Sequence, residues 1–200
     1  MSLYSARAAA VSCLLLMTFP TKAAEQLPSQ NALRVSVQEV GRHYCKDSSV
    51  LDILELNLKF NYTNGGSSAL LLPRRFYITG IAVKSGDKID YHLGNIEHNN
   101  VPTDFFGDLP GPEFLALEPG ETVRMFDTVG IFIQRGDSPL ATTPGLRTME
   151  LTVSPILPRS KALEARTKWQ ALGSLWIEGV TAQPLQLRID DIHPSVACTN

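Results

Sequence analysis

The chain has 200 residues, 18 basic and 20 acidic side chains, a formal charge of −2 and 44% hydrophobic residues. That is the size of one ordinary domain able to bury its own core. A mildly acidic chain without a basic cluster lacks the electrostatic footprint for nucleic acid or for an anionic membrane surface.

Residues 1–24 carry the pattern of a secretory signal peptide, with Arg7 near the start, an apolar run from Ala8 to Phe19, and small residues at Thr21, Ala23 and Ala24. The run falls short of the roughly 20 apolar residues a membrane-spanning helix needs. Cleavage near Ala23 or Ala24 is therefore expected, giving an exported chain, periplasmic or extracellular, with no transmembrane segment. Cys13 leaves with the signal, because the apolar run continues past it. Loss of Arg7 and Lys22 takes the formal charge from −2 to −4. Cys45 and Cys198 remain. An even count without a CxxC in an exported chain predicts a structural disulfide that ties the start of the domain to its end.

Residues 25–32 read as a flexible leader. Leu33 to Val40 alternates apolar and polar positions as a first strand does. The strongest segment is LDILELNLKFNYTN, Leu51 to Asn64, in which Leu56, Leu58, Phe60 and Tyr62 alternate with Glu55, Asn57, Lys59 and Asn61. Successive strand side chains point to opposite faces, so this is a long half-buried strand, turned at Asn64-Gly65-Gly66. Ala69 to Leu72 is a short strand closed by Pro73, and Phe76 to Val83 another with a bulge or close backbone contact at Gly80. From Ser85 to Pro112 the chain is rich in Gly, Asn, Asp and Pro apart from a candidate short strand at Lys88 to His92. A connection of this length is uncommon and often functional.

Glu113 to Leu117 and Glu121 to Phe126 flank Pro119-Gly120, which suits the centre of a type II turn and predicts a hairpin or a strand-to-strand corner. Val129 to Ile133 and Leu146 to Val153 add strands. Ser160 to Leu172 places Ala162, Ala165, Trp169 and Leu172 at helical spacing, with Ser160 as N-cap and Gly173 past the end. Leu175 to Ile177 and Leu185 to Ile189 close the set, and residues 193–200 form a tail held through Cys198. The pattern predicts an all-β protein: an immunoglobulin-like two-sheet antiparallel sandwich over residues 33–192, with one short helix near residues 160–172.

LKFNYTNGGSSALLLP, FLALEPGETVRMF and PGLRTMELTV together resemble the immunoglobulin-like β-sandwich domains of exported bacterial proteins. In those domains a strand ending in an Asn-containing turn precedes a short Leu/Pro strand, and an L-x-P-G-E turn leads into a later one. Here these are Tyr62-Thr63-Asn64, Leu70-Leu71-Leu72-Pro73 and Leu117-Glu118-Pro119-Gly120-Glu121. The resemblance implies the sandwich fold and, for function, a range from adhesion modules and inhibitors to enzyme accessories and envelope-complex subunits. The segment at 85–112 and the helix at 160–172 depart from the simplest such domain, and Cys45 and Cys198 do not match the antibody Cys-Trp-Cys core.

No nucleophile elbow and no phosphate-cradling glycine motif occurs in the sequence. Asp90, His92, Glu97 and His98 cluster with ligand chemistry but in no established metal spacing. Asp87, Asp90, Asp104 and Asp108 lack a calcium-loop pattern. Both groups read as solvated loop residues, so no metal and no cofactor is expected. Trp169 and Trp176 read as helix-to-sheet packing. Phe105-Phe106 either seal the long loop onto the sandwich or anchor a protein or glycan partner. The expectation is an exported non-enzymatic binding or interaction module, with its contact surface on the 85–112 loop at Phe105 and Phe106. The alternatives are a metal-dependent or hydrolytic enzyme using Asp90, His92 and His98, and a structural envelope protein that pairs through a sheet edge.

Overall fold

The structure, a computed structural model, describes residues 32–94, 106–190 and 196–198. The expected signal peptide, nearly all of the leader, and Glu97, His98, Asp104, Phe105 and His193 lie outside these residues. In chain order the elements are β1 (Leu33–Lys46), β2 (Leu51–Asn64), β3 (Leu70–Pro73), β4 (Phe76–Ser85), β5 (Lys88–Gly94), β6 (Phe114–Leu117) and β7 (Thr122–Gln134). A short helix α1 (Pro139–Thr142), β8 (Gly145–Pro155), α2 (Arg159–Lys168), β9 (Ser174–Leu175), β10 (Val180–Thr181) and β11 (Leu185–Ile189) complete them.

The alternation of β2 decides where the core sits. Leu54, Leu56, Leu58, Phe60 and Tyr62 all point inward and are fully buried. β2 is the centre of an antiparallel sheet ordered β1-β2-β7, and Val129, Ile131 and Ile133 of β7 extend the same inner face. The facing sheet runs β10-β8-β4-β5, with β11 also paired to β8. Its Ile81, Val83, Met149, Leu151, Val153, Leu187 and Ile189 meet the first sheet in one continuous core. Each such side chain contributes about 1.5–3 kcal/mol of burial. The chain is thus an all-β antiparallel sandwich with a short helix.

A third, small sheet ordered β6-β3-β9 closes one end. Every residue of β3 is buried because the strand is covered on both faces. Leu70 and Leu72 join the main core, whereas Leu71, with Phe114 and Leu175, faces Ala165 and Trp169 of the α2 region.

Several elements differ from the sequence expectation for identifiable reasons. β1 runs on to Lys46 because a bulge between Glu39 and Gly41 shifts its register on β2. The inward phase passes from Leu33 and Val35 to Tyr44, and a strict two-residue period stops reading it. β7 is one strand, not two, since its ladder with β2 continues through Leu58↔Asp127 and Asn57↔Thr128. Only the polar Asp127 at an inward position made it look broken. Pro119-Gly120, with Gly120 at φ 80°, is a corner and not a hairpin, because β6 pairs with β3 while β7 pairs with β2. α2 begins at Arg159 with Pro158 at the N-cap position and no side-chain cap, so Ser160 sits in the first turn and does not cap. It ends at Lys168, ahead of the expected Leu172.

Asn64 joins the end of β2 to that corner. It is completely buried, and its amide nitrogen donates to the carbonyls of Ser68 and Leu117, each at 2.8 Å. Its side-chain oxygen accepts the Gly66 N–H at 2.9 Å, its backbone N–H donates to the Glu121 carbonyl, and its own carbonyl accepts from Gly120. The Cys45–Cys198 disulfide closes the opposite terminus across a separation of 153 residues, with Lys46 bridged to Ala197.

Asn64→Ala orphans two carbonyls and an amide in the interior, and is expected to cost about 2–4 kcal/mol. Urea unfolding measures it, and a loss below about 1 kcal/mol would contradict this role. Replacing both Cys45 and Cys198 by Ser should lower stability by roughly 4–5 kcal/mol in the loop-entropy account.

Candidate functional site

In the described part of the 85–112 segment, Phe106 and Asp108 engage the α2 region. The ring of Phe106 stacks on Trp169 with centroids 5.9 Å apart and lies 6.1 Å from Phe114. Trp169 in turn meets Phe114 edge-on at 5.0 Å and donates its indole N–H to the Asp108 carbonyl at 3.2 Å. The Lys168 ammonium, 2.5 Å from the Asp108 carboxylate, holds that carboxyl below its ordinary range. Phe106 is therefore a half-buried part of the seal between α2 and the small sheet. Phe105 lies outside the described residues.

Among the described residues no group of three or more acidic, imidazole or thiol side chains converges as metal ligands. β5 pairs with β4 through a bulge between Val83 and Lys84, which places Asp90 out of phase with its neighbours. Its carboxylate accepts from Arg147 Nε at 2.7 Å, and both side chains are nearly sealed, at 2% and 5% exposure. The guanidinium also donates to the carbonyls of Thr143 and Leu146. Asp90 therefore neutralises the buried Arg147. His92 is exposed, its ring lying over Gly94, and His98 is outside the described residues. In the core, burial and then the nearby Asp127 push the Tyr62 hydroxyl upward, so that it stays protonated.

Among the described residues, one surface with unmet capacity is β7. β2 occupies one side of it, and among the described residues no strand pairs with the other. Hydrogen bonds just beyond either end of the β2–β7 ladder, Asn64 N–H to Glu121 carbonyl and Arg135 N–H to Val50 carbonyl, show which backbone groups face which way. In an antiparallel ladder the bonded residues alternate, so odd-numbered residues of β7 bond to β2. The amides and carbonyls of Arg124, Phe126, Thr128, Gly130 and Phe132 consequently face the free edge. Two large apolar side chains stand on the outer face of the same strand, Phe126 at 71% exposure and Phe132 at 49%. An open depression of about 440 Å³ lies beside Phe126, lined by Asn57, Leu58, Asp127 and Thr128.

This surface was half legible in the sequence. Val123, Met125, Val129, Ile131 and Ile133 carry one apolar phase and Phe126 with Phe132 a second, and apolar residues on both phases of an outer strand are the signal. What the sequence does not carry is that β7 ends the sheet.

Asp90→Ala strands the Arg147 charge in the interior and is expected to cost about 3–5 kcal/mol, whereas the exposed His92→Ala should stay within about 0.5 kcal/mol. Chemical denaturation of both variants checks the order, and the reverse order would give His92 the structural role.

A scan against protein-family models finds no matching family for this chain, and a search of curated proteins finds no match.

Proposed function

We propose that this chain is an exported, non-enzymatic interaction module that engages a protein partner through the free edge and outer face of β7. The observation that carries the proposal is the coincidence of two features on one strand. A row of backbone donors and acceptors with no strand opposite it among the described residues is a template for strand addition, and exposed aromatic side chains beside it supply anchoring area. Export is supported by the N-terminal signal pattern together with the Cys45–Cys198 bond, which suits an oxidising compartment. The packing of Phe106 on Trp169 and the pairing of Asp90 with Arg147 favour β7 over the 85–112 segment as the contact surface.

The test is capture of partners from native envelope extract by the mature chain, beside a Phe126→Ser, Phe132→Ser variant shown by circular dichroism to be folded. Capture by the variant should fall at least tenfold, since aromatic anchors dominate such contacts. Undiminished capture of the same partner by the variant would remove β7 as the contact surface.

A further inference from the structure

β7 carries a pattern that is complementary to itself. Phe126 and Phe132 lie three positions to either side of Val129, and Thr128 and Gly130 one position to either side. An antiparallel pair of β7 strands related by a two-fold axis through Val129 therefore sets Phe126 opposite Phe132 of the second copy, twice, and Thr128 opposite Gly130, twice. The directions of the backbone groups agree with this register. The residues whose amides and carbonyls face the free edge are even-numbered, and pairing about Val129 matches even with even, so Thr128 with Gly130 and Phe126 with Phe132 become hydrogen-bonded pairs. Both phenylalanine pairs lie on the outer face, where cross-strand aromatic pairs stabilise a sheet. The absence of a side chain at Gly130 leaves room opposite Thr128.

The same edge is guarded in the single chain. The Thr128 N–H, which faces outward, donates to the Asp127 carboxylate at 2.8 Å. Side chains that cover edge donors are a known protection against unwanted strand addition. Here Asp127 covers one of the donors that the self-complementary register needs.

We propose that β7 pairs antiparallel with β7 of a second copy of this chain in the register centred on Val129, and that Asp127 is a cap that opposes this pairing until it is displaced. The proposal rests on the reading of β7 as the contact surface and names its partner. The product is a closed two-fold dimer in which two three-stranded sheets merge into one of six strands.

Sedimentation equilibrium of the mature chain, wild type against Asp127→Ala, reads the cap. The uncapped variant should self-associate at least tenfold more tightly, and Phe126→Lys added to it should return it to monomer. The register is read separately with Thr128→Cys, Gly130→Cys, which should form a covalent dimer under mild oxidation faster than Thr128→Cys alone. The space at Gly130 permits this, since a Cβ there meets only Ile53 Cγ2, at 3.5 Å. Equal association of capped and uncapped chains, or equal cross-linking by the single and double cysteine variants, would overturn the proposal. If these fail while Phe126 and Phe132 still govern capture of a different protein, self-pairing alone is refuted. If capture is also indifferent to Phe126 and Phe132, the contact surface itself is refuted.

Discussion

The architecture depends most on one buried amide. The side chain of Asn64 can donate two hydrogen bonds and accept at least one, and it does so where the end of β2, the turn into β3, and the corner from β6 to β7 come together. Its backbone adds two more bonds to Gly120 and Glu121. A residue of this size that satisfies three loops at once sets their spacing, and no apolar or charged replacement of similar volume offers the same donors and acceptor. The order of the strands follows from it. β2 is held between β1 and β7, and β3 is handed to a different sheet.

From that node outward the molecule divides its surfaces. One end is sealed by the small sheet, Trp169, Phe106 and the ion pair of Lys168 with Asp108. The opposite terminus is pinned by the disulfide, and the inner faces are closed by the core and by the Asp90–Arg147 pair at its margin. β1 is covered in part along its outer edge, where the Gln183 N–H donates to the Val35 carbonyl and Arg42 reaches the Arg188 carbonyl. β7 has no such strand cover among the described residues. Among the described residues the Asp127 carboxylate covers the outward N–H of Thr128, which is far less than a strand supplies.

Local periodicity made much of this legible. Leu54 to Tyr62 alternates without interruption, and the expected strand Leu51 to Asn64 is the observed β2. Leu185 to Ile189 is likewise the observed strand. The failures share a cause in tertiary structure. A bulge changed the phase of β1, Asp127 occupied an inward position on β7, and Pro158 took the helix start that Ser160 promised. The contact of the Asn64 turn with the Pro119-Gly120 corner could not be read from either segment, since each reads as an ordinary turn and only their meeting gives Asn64 its five bonds. The edge position of β7 is equally nonlocal, because it follows from which strands lie beside it. Phe106 was legible as an aromatic in a long loop, but its choice between partner and core was made by Trp169, sixty-three residues on.

The most direct measurement of the central claim, that β7 is an open edge of the sandwich, is amide hydrogen exchange resolved residue by residue along it. In dilute solution Phe126 and Gly130 should exchange rapidly while Val129 and Ile131, bonded to β2, remain protected, and protection of Phe126 and Gly130 should rise with concentration or on addition of the captured partner. Slow exchange at Phe126 and Gly130 in the isolated chain, or exchange there that neither concentration nor partner alters, would contradict the account.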